Sequence, residues 1–247
     1  SYILEVSSGG LSRPLTLIED YKLFERSKAK IVLKEKFRGI KIRFTIIDVN
    51  SPSSDIKKIL SKITGEGFEA QHIPVENIND SKSNMSTTMA SIRSSFNHAK
   101  KCEDLIYFVE DDYIHKTEAL SEMLFAYEKF SSILESEIFI LSSDYPYLYK
   151  KMNSSSILIG ENIHWRTVKE SLLTFMTSKK MIEKYFEKLI DMATNQNNPF
   201  EKNLHEIYEK EECFSPIPSL SIHCTNINSV FGLSPNINLK KLWDENS

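Results

Sequence analysis

Short apolar segments of strand length alternate with segments of helical periodicity along the first half of the chain. Strands are predicted where four to eight apolar or β-branched residues run together, and helices where apolar residues recur every three or four positions. The predicted strands cover residues 2–6, 40–47, 68–75, 104–109 and 138–141. The predicted helices cover residues 15–27, 55–64, 85–100 and 117–135. Strands that alternate with helices are typical of an α/β fold with a mainly parallel sheet.

The pattern changes in the second half of the chain. Short, hairpin-like segments predict a small mixed-sheet addition, and they cover residues 157–160, 164–168 and 171–177. Two further helices are predicted over residues 179–193 and 200–212. No repeat and no flexible linker interrupts the chain, so we expect a single domain over residues 1–247.

Composition and charge exclude several classes of protein. Hydrophobic residues make up 40% of the 247 residues and charged residues 26%, which is enough to bury a core and argues against disorder. The net charge of −3, with scattered lysines, predicts no nucleic-acid surface. Three cysteines without a CxxC pair indicate a reducing compartment rather than a disulfide framework or a structural zinc site.

Neither a membrane span nor a targeting segment is predicted. No apolar stretch reaches the roughly 20 residues that a transmembrane helix needs. The N-terminus is too short and too polar for a signal peptide and has the pattern of a strand from its second residue. We therefore expect either a trimmed chain or a piece of a longer protein.

An acidic cluster follows the strongest predicted strand. Residues 104–109 are apolar on both faces, as in a central parallel strand, and Glu110, Asp111 and Asp112 come directly after them. Adjacent like charges near a core are costly, and a hard divalent cation relieves that cost by binding the carboxylate oxygens. The alternative is a solvated acidic turn in which an aspartate caps the next helix. The position at the carboxyl end of a central strand, where α/β proteins bind ligands, favours the metal site.

The strand that ends in Glu110-Asp111-Asp112-Tyr113 resembles the metal-binding DXD-type motif of GT-A fold glycosyltransferases, which use nucleotide-sugar donors. The opening YILEVSSGGLSRP resembles the first strand and nucleotide-contacting loop of that family, and FTIIDVNS resembles its second strand. The resemblance is one of pattern, and it extends in order over most of the chain. It implies a GT-A type (Rossmann-like) fold, with a mostly parallel central sheet, helices on both faces and a small mixed-sheet acceptor part at the C-terminus. Residues 1–115 would bind the nucleotide sugar and residues 116–247 the acceptor.

The resemblance also implies a Mn²⁺ or Mg²⁺ ion that bridges the diphosphate of the donor. Asp112 is the expected direct ligand, and Asp111 and Glu110 would contact the metal through water, or the ribose. Many members of the family supply a histidine near the C-terminus, and His223 lies at the end of a short predicted strand. Neutral imidazole suits manganese. The alternative for His223 is a hydrogen-bonded structural histidine.

Four residues nearer the N-terminus are implied as nucleotide contacts. Ser7 and Gly9 would let the backbone approach the nucleotide closely. Arg13 would contact the diphosphate or the base, and Asp48 the base or the ribose. The alternatives are a surface arginine for Arg13 and a turn residue that bonds its own backbone for Asp48.

The family implies a catalytic base near the start of a late helix in its inverting members. Glu201 opens the predicted helix 200–212 after a polar loop and is our candidate. The alternative is a first-turn glutamate that interacts favourably with the helix dipole. The competing carboxylates are Asp144, Glu161, Glu170 and Glu206.

Acceptor residues are expected where aromatic side chains and carboxylates follow the predicted strands. Sugars are often held by such side chains, and the candidates are Asp144, Tyr145, Trp165 and Arg166. The alternative for the aromatic residues is packing in the core.

The resemblance therefore predicts a metal-dependent, inverting glycosyltransferase of the hexosyltransferase type. It would transfer a sugar to a hydroxyl of a glycan or lipid-linked acceptor, in bacterial surface polysaccharide synthesis. The expected location is the cytoplasm, including peripheral association with the inner face of the membrane. Two alternatives stay open. One is a nucleotidyltransferase, although SSGGLSR is a poor version of its phosphate loop; the other is a catalytically inactive module that binds carbohydrate or nucleotide.

Overall fold

The computed structural model describes residues 2–7, 41–48, 52–75, 84–150, 152–234 and 236–246. Its strands are β1 (Tyr2–Ser7), β2 (Ile42–Asp48), β3 (Glu69–Pro74), β4 (Leu105–Glu110), β5 (Tyr113–His115), β6 (Phe139–Leu141), β7 (Ile157–Ile159), β8 (His164–Thr167), β9 (Phe175–Ser178), β10 (Cys213–Ile217) and β11 (Ser221–His223). Its helices are α1 (Ser53–Gly65), α2 (Asn84–Ala99), α3 (Ala119–Leu134), α4 (Lys179–Lys184), α5 (Phe186–Met192), α6 (Lys202–Tyr208) and α7 (Leu239–Asn246). Two 3₁₀ turns cover Pro146–Tyr149 and Cys224–Asn226.

The described strands form one large sheet and one small sheet. The large sheet has the order β3-β2-β1-β4-β9-β6-β10-β8-β7, and β5 and β11 pair separately. Strand β1 is parallel to β2 and to β4, with Ser7 beside Ile47 on one side and Glu110 on the other. Parallel pairing places the carboxyl ends of these three strands at the same edge, which is where α/β sheets bind ligands.

Helices cover both faces of the large sheet. Side chains alternate along β4, so that Ile106 belongs to a core cluster with Phe96 of α2 and with residues of α4, α5 and α6. Tyr107 points the other way and belongs to a second cluster with Met123 of α3. The predicted α/β class, with a mostly parallel central sheet between two layers of helices, is confirmed.

The second half of the chain differs from the prediction in detail. Strands β7 and β8 extend the large sheet as a hairpin beside β10, as the hairpin-like pattern indicates. The predicted strand 171–177 begins only at Phe175, and as β9 it lies antiparallel between β4 and β6, inside the sheet. The single helix predicted over 179–193 is two helices, because the backbone leaves helical geometry at Tyr185.

Some predictions lie outside the described residues, among them the helix over 15–27. Within the described residues, no helix is both long and apolar enough to cross a membrane.

Candidate functional site

The acidic turn after β4 lies beside the small sheet. Glu110 ends β4, Asp111 and Asp112 form a turn, and β5 begins at Tyr113. Strand β5 is antiparallel to β11, and this register places His223 opposite Tyr113. The side chain of Asp111 is exposed, whereas that of Asp112 is largely buried. The small sheet thus joins two predicted metal ligands that are distant in the sequence.

Asp112 and His223 are in direct contact. His223 Nε2 lies 2.8 Å from Asp112 Oδ2, and the hydroxyl of Thr225 donates to the same oxygen. The backbone N–H of Cys224 donates to the carbonyl of Asp112 at 2.7 Å. The imidazole is buried and stacks on the ring of Tyr113 at 4.8 Å between centroids. These contacts fix the orientation of both side chains.

The donor set of this pair fits a divalent metal. The 2.8 Å between Oδ2 of Asp112 and Nε2 of His223 is a hydrogen-bond distance, so a metal ion bound by both atoms would replace the proton that they share. One carboxylate with one neutral imidazole suits manganese. No group of three or more His, Cys, Asp or Glu side chains that could hold a metal occurs among the described residues. An ion at this pair would therefore rely on water or substrate oxygens for further ligands.

Three of the predicted nucleotide contacts lie along one edge of the large sheet. Ser7, Asp48 and Glu110 end the adjacent strands β1, β2 and β4, and Asp48 is almost fully buried. The backbone N–H of Glu110 donates to the hydroxyl of Thr174 at 3.2 Å. Gly9 and Arg13 lie outside the described residues. The roles of all five residues stay predictions.

A small cavity opens at the same edge, between α2 and the end of β4. Its volume is about 30 Å³, and it is lined by Thr88, Ile92, Ser95, Phe96, Phe108, Val109, Glu110 and Leu173. Its walls are mainly apolar, and a carboxylate and two hydroxyl residues are its polar lining.

Glu201 lies immediately before α6 and close to the Asp112–His223 pair. Its backbone carbonyl accepts the N–H of His205 at 3.0 Å, which starts the helix. Burial raises the pKa of the Glu201 carboxyl, and its own backbone N–H and the charges of His205 and His223 offset part of that rise. The predicted base is thus electrostatically coupled to His223, one of the predicted metal ligands. A buried carboxyl with a raised pKa is suited to general base catalysis.

A second carboxylate approaches the same region. Burial raises the pKa of the Tyr147 phenol, and the negative charges of Glu170 and Glu201 raise it further. Both carboxylates therefore lie near one phenol. The sequence offers Glu170 only as a competitor for the role of base, and Tyr147 was not predicted, although it lies in the aromatic-rich segment 145–149.

Two predicted acceptor residues form a buried ion pair. Arg166 Nη2 donates to Asp144 Oδ1 at 2.7 Å, and Asp144 is only 2% exposed. The hydroxyls of Tyr149 and Ser215 also donate to Asp144. The guanidinium of Arg166 lies over the ring of Tyr149, 4.1 Å from its centroid. The charges of the pair therefore largely neutralise each other.

The other two predicted acceptor residues are in the core. Trp165 is fully buried and donates its Nε1–H to Glu122 at 3.4 Å. Tyr145 is 1% exposed, and its hydroxyl lies 2.7 Å from that of Tyr113. Neither ring has a face open to a ligand in this conformation, and these contacts correspond to the packing alternative. Direct acceptor binding by Tyr145 and Trp165 stays a prediction.

Comparisons with known proteins give only distant similarities. No family model matches the chain. UDP-glucose pyrophosphorylase complexed with UDP-glucose is similar with a TM-score of 0.49 and 9% identity, over 99% of this chain and 97% of that one. UTP-bound UGPase from Acinetobacter baumannii is similar with a TM-score of 0.46 and 8% identity, over 91% of this chain and 88% of that one. The apo form of mouse xyloside xylosyltransferase 1 is similar with a TM-score of 0.39 and 10% identity, over 84% of this chain and 76% of that one. Similarities this distant do not assign an activity to this chain.

Proposed function

We propose that this chain is a divalent-metal-dependent glycosyltransferase. It would move a hexose from a nucleotide-sugar donor to a hydroxyl of a glycan or lipid-linked acceptor. The observation that supports this most directly is the contact between Asp112 and His223 at the carboxyl edge of the sheet, with Glu201 electrostatically coupled to His223. A base that is electrostatically coupled to a metal ligand suits metal-assisted group transfer.

On the donor side, Asp112 and His223 would hold Mn²⁺ or Mg²⁺. The cation would neutralise the charge that develops on the departing nucleoside diphosphate. Asp111 and Glu110 flank the pair in sequence and would reach the metal through water, or the ribose. Their position at the end of β4 agrees with this role.

The nucleotide would lie across the ends of β1 and β2. Ser7 and Asp48 end these neighbouring strands, so a base or ribose could span both. Gly9 and Arg13 would complete this part of the site from the segment that follows β1.

On the acceptor side, Glu201 would take the proton of the attacking hydroxyl. The hydroxyl oxygen forms the new bond to the anomeric carbon, the bond from that carbon to the diphosphate oxygen breaks, and the configuration inverts. The raised pKa of Glu201 brings a carboxylate closer to the working pH, which favours general base catalysis.

We also propose a place in bacterial surface polysaccharide synthesis, in the cytoplasm or at the inner face of the membrane. The cysteines at positions 102, 213 and 224 are free thiols, which agrees with a reducing compartment.

The proposed activity can be tested with a panel of nucleotide sugars, with Mn²⁺ or Mg²⁺ and with a chelator in parallel. We expect slow, metal-dependent release of a nucleoside diphosphate and free sugar from one donor. Asp112→Asn should lower this rate at least about 100-fold. Asp55→Asn, a change at an exposed acid on α1, is the matched control and should leave the rate unchanged.

Other products would contradict the proposal. Pyrophosphate release from a nucleoside triphosphate and a sugar phosphate would indicate a nucleotidyltransferase. Binding of nucleotide or sugar without any turnover would indicate an inactive module. Full activity of Asp112→Asn would exclude the proposed metal ligand.

A further inference from the structure

A row of aromatic side chains leads from the Asp112–His223 pair to the protein surface. His223 stacks on Tyr113, and the Tyr113 hydroxyl meets that of Tyr145 at 2.7 Å. Tyr145 stacks on Tyr147, with ring centroids 5.6 Å apart and an interplanar angle of 22°. Tyr147 in turn contacts Phe231 at 5.2 Å, with the two rings inclined by 49°. The row thus begins in the core and ends at Phe231.

The outer end of this row is exposed and held in place. Phe231 is 38% exposed, whereas Tyr145 is 1% exposed. The backbone N–H of Tyr147 donates to the carbonyl of Val230 at 3.1 Å, which ties the loop before Phe231 to the 3₁₀ turn Pro146–Tyr149. We call Tyr147 and Phe231 the aromatic wall.

Tyr147 of the aromatic wall is electrostatically coupled to the predicted base, Glu201. The phenol of Tyr147 experiences the negative charges of Glu170 and Glu201. A molecule that packs on Phe231 and extends along Tyr147 would therefore bring its polar groups towards these carboxylates. None of the residues predicted from sequence as acceptor contacts has an exposed ring in this position.

The charges near the aromatic wall decide which kind of molecule fits. The side chains coupled to Tyr147 are acids, so a negatively charged group would be repelled. Arg166, which lies over Tyr149 of the same 3₁₀ turn, already holds Asp144 at 2.7 Å, so it offers little compensation to an anion. An uncharged molecule with one apolar face and several hydroxyls fits both features, and a pyranose ring is such a molecule.

We propose that the aromatic wall, Tyr147 and Phe231, is an acceptor subsite that takes an uncharged pyranose ring. The sugar would pack its C–H face on Phe231, with a hydroxyl directed to Glu201. This assignment rests on the proposed function and adds to it the acceptor class and the two residues that select it.

Binding of simple glycosides to the full chain tests this subsite without a donor. The probes are methyl β-D-glucopyranoside, methyl β-D-galactopyranoside and methyl N-acetyl-β-D-glucosaminide, with methyl β-D-glucuronide as the anionic counterpart. In saturation-transfer NMR we expect at least one neutral glycoside to receive saturation on its C–H face, and the glucuronide to bind more weakly than the glucoside. Phe231→Leu should weaken neutral glycoside binding about two- to tenfold, because it keeps an apolar contact but removes the ring face.

Two variants separate a ring contact from a change of the loop. Phe231→Tyr keeps the ring and should bind like the wild type. Leu233→Ala changes a side chain with the same exposure, 38%, two residues along the loop, and should also bind like the wild type. Thermal denaturation of each variant checks that the fold is unchanged.

Several results would overturn the assignment. The assignment fails if none of the three neutral glycosides binds. It also fails if Phe231→Leu binds them as well as the wild type does, or if the glucuronide binds as strongly as the glucoside. Donor hydrolysis, measured on the same samples, is expected to be equal in wild type and Leu233→Ala. Hydrolysis without glycoside binding rejects the subsite alone, whereas glycoside binding without hydrolysis of any donor rejects the transferase proposal alone.

Discussion

Two glutamates, the buried Glu122 and the half-buried Glu201, are held in opposite ways. Glu122 on α3 is 1% exposed and accepts the backbone N–H groups of Glu161 and Asn162 at 2.9 and 3.0 Å. It also accepts the Asn162 amide at 3.2 Å and the Trp165 indole at 3.4 Å. For Glu201, burial is the largest influence and raises the carboxyl pKa, and its own backbone N–H is the one hydrogen bond that lowers it.

The difference separates a carboxylate whose charge the fold compensates from the carboxylate of the proposed base, which has fewer hydrogen-bond donors around it. Burial of a charge is costly unless hydrogen bonds compensate for it, and the donors around Glu122 provide that compensation. A Cβ at Gly160 would press on Glu122 Oε1 and lie 2.5 Å from Trp165 Nε1, so the turn closes tightly over the carboxylate. Glu201 has no comparable set of donors among the described residues, and uncompensated burial is typical of functional groups.

The largest expected effect in this comparison follows from Glu201→Gln. The amide keeps the size of the side chain but cannot accept a proton, so kcat should fall by about 10²–10⁴. The thermal midpoint should stay the same or rise, because a buried charge is removed. Glu206→Gln on the same helix, at an exposed acid that pairs with Lys188, is the control for kinetics and should keep full activity. Unchanged kcat in Glu201→Gln would assign the base to another carboxylate.

Glu122→Ala should give the converse result. Its removal takes the acceptor from the N–H groups of Glu161 and Asn162 and from the buried indole of Trp165, so unfolding free energy should fall by about 1–3 kcal/mol. Denaturant titration measures this, with Glu128→Ala at an exposed position of α3 as the control. Activity per folded molecule should be unchanged. A loss of kcat without a loss of stability would show that Glu122 is not purely structural.

The smallest expected effect is the pH dependence of stability and rate that Glu201 produces. Because the pKa of Glu201 is raised in the folded state, the folded protein binds a proton that the unfolded chain has already released. Stability should therefore fall as the pH rises from about 4.3, the ordinary glutamate value, through the raised pKa, and then level off. The rate should rise over the same interval as the base loses its proton.

The thermal midpoints of wild type and Glu201→Gln, compared across pH, isolate this contribution. The wild type should lose stability relative to Glu201→Gln through the stated interval. If the difference in thermal midpoint between the two proteins does not change with pH, Glu201 does not take up a proton in this interval.

The alternation of strands and helices could be predicted because its signals are local. Each apolar period falls within one element, and β4 is recognisable from residues 104–109 alone. Asp112 could be proposed from its position after a central strand, whereas His223 and its place beside Asp112 were implied only by the family resemblance. Their contact depends on β5 and β11, which have three residues each and no periodic signal.

The surroundings of two predicted acceptor residues show what a local sequence pattern does not reveal. Trp165 and Arg166 were both assigned to the acceptor, yet neighbours along a strand point to opposite faces. The structure buries the indole against Glu122 and turns the guanidinium to Asp144. The partners of these side chains lie 43 and 22 residues away, so no local pattern identifies them.

The pairing of β5 with β11 has a consequence for biosynthesis. The aspartate at position 112 leaves the ribosome 111 residues before its histidine partner at position 223. Translation proceeds from the N-terminus, so a nascent polypeptide carries the acidic turn for several seconds before the imidazole exists. An incomplete translation product that stops before β11 is therefore expected to lack this two-residue site, however well its earlier strands have folded.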